Sequence, residues 1–525
     1  MPTPLRRAPG IALLGLALSV ALAVPPGHTE APSAATLRTQ ASLAADLDRL
    51  LADPRLVGAQ AGVVVRDATT GEHLYTRNSD SRLLPASNAK LLTSAAAMDV
   101  LGPDYRFATT VLTDGRQAGP VLLGDLYLKG TGDPTMLAAD YDRLAAAVAA
   151  RGVRFVRGGL VADDTWFDDV RLGTDWAWDD EPFYYAAQVS ALTVSPNEDF
   201  DAGTVIVEIR PGAAPGQPAR VDVVPQNSYV HVVNQTTTGA AGSGDTTDVL
   251  RDHGDGNRIV VSGSFPLGGA ATQTWSSVWN PTGYAAAVFG DALRRHGVRV
   301  LRGTEFRATP AGATELARHD SMPLSAILTP FLKLSNNGHA EILMKAMGRK
   351  ASQDGSWDAG IRAARTALAA DGVNVNLLRL VDGSGLARMD QVPAEQLSNL
   401  LIGVQGRPWF PVWYEALPIA GRSDRMVGGT LRSRMANTRA AGNVHAKTGS
   451  LTGVTALSGY VTTAAGQRLV FSVLQNNYLS GSPKDIEDAV AITLANLGAP
   501  GPAVASTPRP STAVPDVECS WLKVC

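Results

Sequence analysis

The smallest unit in this 525-residue chain that could do covalent chemistry is a serine followed three residues later by a lysine. In Ser87-Asn88-Ala89-Lys90 the two side chains are three apart, so on a helix they share one face. A serine hydroxyl is a weak nucleophile until a base takes its proton. A lysine amine can be that base when burial and neighbouring cations lower its proton affinity. The unpaired N–H groups at a helix start also offer a place for developing negative charge. Alone the pattern is weak, because Ser520-Trp521-Leu522-Lys523 matches it as well. That second match sits in a tail with no core around it.

Two more short patterns follow in order. Ser335-Asn336-Asn337 supplies a hydroxyl that could relay a proton and an amide that could hold a peptide backbone, although Ser195-Pro196-Asn197 has the same form. Lys447-Thr448-Gly449 occurs once. It combines a cation, a hydroxyl that can donate to a carboxylate, and a glycine that lets a ligand approach the backbone. Each has a plainer role available: Ser87 as a helix cap, Lys90 on a solvated face, Lys447 on a surface strand. The order S-x-x-K, S-x-N, K-T-G is the set found in class A β-lactamases and penicillin-binding proteins, and the order carries more weight than any one member.

Certain elements must position these residues. Ala61–Arg66 and His73–Tyr75 read as a hairpin around Thr70-Gly71, and Asn88–Leu101 reads as the helix that begins at Ser87. Leu37–Leu51 shows helical spacing, and so does Leu324–Lys350. Gly442–Lys447, Leu457–Thr462 and Leu469–Gln475 read as strands, and Ile486–Leu497 as a last helix. Ser87 and Ser335 are far apart in the chain, so something is inserted between them. The region 107–315, rich in Gly, Thr, Val and Asp, reads as short strands (Val121–Leu128, Val205–Ile209, Tyr229–Val233, Arg258–Val261) broken by one helix at Ala285–His296.

Length and a 45% hydrophobic composition allow two or three domains. A net charge of −3 lacks the basic surplus of a nucleic-acid partner. The eight histidines form no metal-binding pattern, and no metal or cofactor is expected. Arg6 and Arg7 precede an apolar run from Ile11 to Val24, too short for a bilayer span and followed by Pro25-Pro26-Gly27. With Ala21-Leu22-Ala23 as a cleavage candidate, 1–24 reads as an export signal. That implies an extracytoplasmic protein, in the periplasm, in the cell wall or secreted, with no transmembrane segment after cleavage. The only cysteines, Cys519 and Cys525, could staple the tail but not the fold.

Four stretches make a family resemblance specific. They are Leu84–Leu91, Gly124–Pro134, Val381–Leu386 and Ala446–Leu451. With the three ordered motifs they make the chain resemble the class C low-molecular-mass penicillin-binding proteins, the D-alanyl-D-alanine carboxypeptidase/endopeptidase family. The resemblance covers about 38–498. It implies an α+β fold: a β-lactamase/transpeptidase-like domain, an antiparallel sheet flanked by helices, with a large β-rich two-domain insertion. Domain I would comprise 37–106 and 316–498, domain II 107–198 and 273–315, and nested domain III 199–272. A disordered linker at 25–36 and a flexible tail at 499–525 would flank them.

The same resemblance implies roles. Ser87 is the nucleophile, Lys90 its base, and Ser335 with Lys447 the proton relay, while Asn337 holds the acyl peptide amide. The backbone N–H groups of Ser87 and Ser450 form the oxyanion hole, and Thr448 and Ser450 bind a terminal carboxylate. Asp180, Tyr185, Arg388 and Leu451 line the place for a diaminopimelate-type side chain. Partners would be peptidoglycan stem peptides ending in D-Ala-D-Ala, with β-lactam antibiotics as inhibitors. One departure is Asn336, where the family usually has Asp, a middle position that points away from substrate.

Three rivals remain at this stage. A β-lactamase or esterase on the same fold would not need the large insertion or the segment Asp382–Leu386. A muropeptide-binding protein without catalysis would have no need for every reactive residue of the motifs. A Ser-His-Asp hydrolase would show a G-x-S-x-G elbow, which Gly383-Ser384-Gly385 is not.

Overall fold

The computed structural model describes residues 34–254 and 256–499. The export signal at 1–24, Cys519 and Cys525 lie outside the described residues. No helix among the described residues is long and apolar enough to cross a membrane.

Both ends of the chain build one antiparallel five-stranded sheet. Its order is His445–Leu451, Val454–Thr462, Arg468–Asn476, Gln60–Asp67, His73–Arg77. The expected hairpin is its far edge, with Val63 opposite Arg77 and Val65 opposite Tyr75. The closing contact joins distant sequence: Gln60 pairs with Asn476 and Asp67 with Leu469.

Alternation along these strands sends side chains to two cores. Val64, Ala456, Tyr460, Val470 and Leu474 face a helical layer. Its helices are Ala89–Val100, Leu324–Lys333, Asn337–Ser352, Trp357–Ala370 and Ala394–Gly403. Val63, Val65, Leu457, Phe471 and Val473 face the first and last helices, Ala34–Leu50 and Lys484–Asn496. A sheet covered on both faces explains why these strands read as continuous apolar runs rather than alternating ones.

Residues 108–320 form four further sheets. Strands Thr304–Phe306, Leu160–Asp163, Leu126–Gly130, Ala108–Thr113 and Thr314–Asp320 make one sheet, and Arg299–Val300, Phe155–Val156, Val121–Leu122 and Gln117–Ala118 make a second. Two three-stranded sheets are built from Arg220–Val224, Thr204–Arg210 and Thr272–Ser277, and from His231–Gly239, Arg258–Pro266 and Asp248–Arg251. They share one apolar core that includes Val111, Leu128, Val207, Ile259 and Phe289.

Three sequence expectations need correction. The inserted region holds two α-helices among its described residues, because Ala138–Ala150 accompanies Pro281–Arg295. Its apolar face, Tyr141, Leu144, Ala145 and Val148, has helical spacing, but the surrounding β-rich composition masked it. The single strand expected at Val121–Leu128 is two strands in different sheets. The chain crosses at Gly124, where a Cβ would lie 2.6 Å from the Gly115 Cα. The helical run Leu324–Lys350 breaks between Lys333 and Asn337, and Ser335 there has a left-handed φ of 60°.

Candidate active site

Ser87 lies in a single 3₁₀ turn, Ala86–Asn88, that runs directly into the helix Ala89–Val100. The turn is strained: Ala86 has φ 47°, a region L-residues with a Cβ rarely occupy. Gly385 holds it there from the other side, since a Cβ on Gly385 would fall 1.8 Å from the Ala86 carbonyl oxygen.

One helical turn on, Lys90 is wholly buried. Its Nζ is 2.8 Å from Ser87 Oγ, 2.7 Å from Asn337 Oδ1 and 2.8 Å from the Ser384 carbonyl oxygen. The break after Lys333 is what brings the second motif to this point. The left-handed Ser335 ends one helix, and Asn337 starts the next. Asn337 donates its amide to the Tyr185 carbonyl at 2.8 Å, which turns its Oδ1 toward Lys90.

The third motif arrives on the edge strand His445–Leu451. Lys447, also wholly buried, donates from Nζ to Ser335 Oγ at 2.8 Å and to the Thr448 carbonyl at 2.9 Å. Asn88 donates to the Lys447 carbonyl at 3.0 Å, tying the strand to the Ser87 turn. Gly449 is needed here: a Cβ on it would lie 2.8 Å from the Pro85 carbonyl oxygen and 3.0 Å from the Ser87 nitrogen. Thr448 Oγ1 shares a 2.8 Å hydrogen bond with Thr430 Oγ1.

A narrow cleft opens over these groups. Ser87, Ser335, Asn337, Ser450, Leu451, Tyr185 and Leu386 line it. Five sequence-predicted residues, Ser87, Lys90, Ser335, Asn337 and Lys447, therefore meet as two amine–hydroxyl pairs with an amide beside the first.

The predicted side-chain pocket is assembled less directly. Tyr185 and Leu451 line the cleft, and the Tyr185 hydroxyl donates to Asp180 Oδ1 at 2.9 Å. Asp180 thus reaches the cleft through Tyr185. Burial pushes its carboxyl up from the ordinary range, while the Tyr185 hydrogen bond opposes this. Arg388 is exposed and donates to the Thr452 carbonyl at 3.3 Å. It acts on Asp180 through its field, without a close ion pair. Asn336 points away from the lysines and donates to the Asp199 carbonyl at 2.7 Å.

Sequence reading marked the segment Val381–Leu386 but gave its residues, and the acids packed on it, no role beneath Lys90. Asp382, Ser384, Glu341 and Asp390 are all buried. Glu341 accepts from the N–H groups of Gly383 (2.9 Å) and Ser384 (2.8 Å) and from the Trp357 indole (2.7 Å). Burial, reinforced by the charge of Asp382, raises the Glu341 carboxyl to about 7. The same two causes push Asp390 well above the usual carboxylate range. The segment Val381–Leu386 was visible as a motif, but a backbone acceptor such as the Ser384 carbonyl has no residue-type signature.

Comparison with known proteins agrees with this geometry. A D-alanyl-D-alanine carboxypeptidase of Actinomadura sp. (strain R39) is 46% identical over 485 residues, covering 91% of this chain and 90% of that protein. The crystal structure of penicillin binding protein 4 from Haemophilus influenzae superposes with a TM-score of 0.72 at 27% identity, covering 83% of this chain and 94% of that one. A second structure of that protein, complexed with a β-lactam, gives 0.67 at 26% identity over 86% and 98%. The profile of the D-Ala-D-Ala carboxypeptidase 3 (S13) family matches residues 43–497. With its hydroxyls, amines and amide drawn into one cleft, the chain belongs to that family of serine peptidases.

Proposed function

We propose that the cleft trims or cleaves peptidoglycan stem peptides through an acyl-enzyme on Ser87, as a D-Ala-D-Ala carboxypeptidase/DD-endopeptidase. The observation that carries this reading is the 2.8 Å contact between the buried Lys90 amine and the Ser87 hydroxyl at the cleft floor.

Ser87 Oγ attacks the carbonyl carbon between the two D-alanines while the neutral Lys90 amine takes the hydroxyl proton. The oxyanion lies against the backbone N–H groups of Ser87 and Ser450. Such donors are each worth about 10²–10³ in rate in a comparable hydrolase. As the C–N bond breaks, the proton passes from Lys90 by way of Ser335, held by Lys447, to the departing amine. A water then attacks the ester, with Lys90 or Ser335 accepting its proton, and Ser87 regains its own.

Lys447, Thr448 and Ser450 bind the terminal carboxylate. Asn337 holds the amide of the acyl part, exchanging its contact with the Tyr185 carbonyl to do so. Asp180 pairs with the ammonium, and Arg388 with the carboxylate, of a diaminopimelate-type side chain lying along Tyr185 and Leu451. A β-lactam acylates the same serine, because its strained amide occupies the place of the D-alanyl carbonyl.

The domain division (37–106 with 316–498, 107–198 with 273–315, and 199–272) and export through residues 1–24 belong to this reading. Sheets built separately from the chain ends and from 108–320 support the separation of domain I from the insertion, with strand Thr314–Asp320 on the inserted side. Arg6, Arg7 and the apolar run behind them support export.

The deciding experiment is mass spectrometry after incubation with benzylpenicillin. A persistent adduct on the Ser87 peptide is expected. An adduct on another serine rejects the assignment, and rapid turnover of the drug would favour the β-lactamase alternative.

A further inference from the structure

A neutral amine has two N–H bonds and one lone pair. Among the neighbours of Lys90 Nζ, three lie within 2.8 Å: Ser87 Oγ, Asn337 Oδ1 and the Ser384 carbonyl oxygen. The last two can only accept. If both N–H bonds point to them, the lone pair is left facing the Ser87 hydroxyl, the orientation proton transfer needs. The aim of the base therefore depends on where the Ser384–Gly385 peptide sits.

That peptide is held from its opposite side. The Gly385 N–H donates to Asp382 Oδ1 at 2.8 Å. Asp382 Oδ2 accepts from the Ala387 N–H at 2.8 Å and from the Trp176 indole at 3.0 Å. These three donors are N–H groups, and the Asp390 carboxyl, pushed well above the usual range by burial and by the charge of Asp382, shares a hydrogen bond with Asp382 as well. The site is therefore built for a carboxylate, which fixes such donors more firmly than a neutral acceptor does. A carboxylate on the N–H of a peptide also strengthens the carbonyl of that peptide as an acceptor. The preceding peptide is fixed in the same manner, because the Ser384 N–H donates to Glu341. Asp382 is fully buried and does not itself line the cleft, which it meets only through its bond to the Gly385 N–H.

We propose that Asp382 is a positioning residue for the base: through the Ser384–Gly385 peptide it orients and polarises the acceptor that aims the Lys90 lone pair at Ser87. The inference rests on the assignment of Ser87 and Lys90 above. It adds the origin of the amine's orientation, and it links the base to Trp176 in the inserted region, whose indole completes the carboxylate's bonds.

Asp382→Asn tests it. The amide must turn its NH₂ toward either Gly385 or the Ala387–Trp176 pair, so one set of donors meets a donor. Acylation by benzylpenicillin is measured per titratable active site across pH. The expected result is a fall in second-order rate constant of at least tenfold. The acid limb of the profile moves, because the substitution removes the Asp382 charge near the ammonium and also relieves the repulsion that raises the Glu341 and Asp390 carboxyls. A purely structural role would reduce the number of titratable sites and leave the per-site rate and the limb in place, and that outcome overturns the proposal.

If Asp382→Asn does not fold, Trp176→Phe carries the test. It removes one donor and keeps the charge. A per-site rate lowered about threefold or more with an unmoved limb supports the proposal, and an unchanged rate overturns it. Wild-type protein modified at some other serine would instead reject the Ser87 assignment, so the two failures are distinct.

Discussion

Lys90 Nζ and Asn337 Oδ1 are 2.7 Å apart although 247 residues separate them in the chain. The contact exists because a left-handed Ser335 breaks a long helical run at that point. It joins the first motif to the second, and Lys447 on Ser335 joins the second to the third. Removing the hydroxyl at the centre leaves the base with nothing to deprotonate. Ser87→Ala should abolish both penicillin labelling and cleavage of a D-Ala-D-Ala peptide. Mass spectrometry and product chromatography read the two effects separately, and retained labelling of the variant would reject the assignment.

Lys447 should serve the terminal carboxylate as well as Ser335. A hydrogen bond to a charged group contributes about 1.5–3 kcal/mol, so Lys447→Ala should lower kcat/KM by roughly 10- to 150-fold. The specific sign is reduced discrimination. Wild type should prefer a free C-terminal carboxylate over its amide, and the variant should retain only the smaller preference that Thr448 and Ser450 supply. A variant that keeps the full preference would place carboxylate recognition elsewhere.

The three motif residues types were readable because local spacing sets their geometry: Ser87 and Lys90 lie one helical turn apart. The strands of the main sheet were readable from their apolar runs, although the edges shifted, as where Gly442–Lys447 became His445–Leu451. Three features escaped for physical reasons. The Ser384 carbonyl is backbone and carries no residue signature. Glu341 looks like any helical acid until packing buries it. The helix Ala138–Ala150 had the correct period but lay among strands. The interplay of Asp180 and Arg388 depends on loop placement that spacing does not encode.

Gly385 ties the loop to the nucleophile by shape alone. It has φ 80°, and a Cβ there would meet the Ala86 carbonyl oxygen at 1.8 Å, a backbone atom with no freedom to swing aside. Gly385→Ala should lower stability by more than about 2 kcal/mol, since strain and a backbone clash add. Acylation per folded molecule should fall too, because relief of the clash moves the Ala86–Ser87 turn. Thermal unfolding and active-site titration report the two quantities, and wild-type values for both would contradict the packing.

Glu341, Asp382 and Asp390 form a buried acidic cluster, faced by Lys345 from the Glu341 helix and by Trp357 and Trp176 from neighbouring elements. The Glu341 carboxyl is raised to about 7 in the fold, with burial as the main cause. Through this group the folded protein binds more protons than the unfolded chain between about 4.5 and 7, and Glu487, also raised to about 7 by burial, acts in the same direction. Stability should be greatest at the acid side of that window and fall as pH rises through 7. Thermal unfolding from pH 5 to 8.5 should show the decline, and Glu341→Gln should reduce it to the part that Glu487 supplies. A stability that rises across this window would contradict the direction of the shift.

Asn336 stands where the resembled family usually has Asp. Its amide nitrogen donates to the Asp199 carbonyl at 2.7 Å in a buried setting, and Arg425 holds the Asp199 carboxylate at 2.8 Å. Asp at this position would set a carboxylate against a carbonyl oxygen with no donor between them. An unsatisfied buried group costs about 1–3 kcal/mol, so Asn336→Asp should lower the unfolding temperature measurably. Acylation per active site should change less than roughly tenfold, because the Asn336 amide bonds to Asp199 and to neither lysine, and the hydrogen bonds that aim Lys90 and Lys447 stay intact. A large loss of per-site rate with unchanged stability would mean that the middle residue of the motif acts on the chemistry directly.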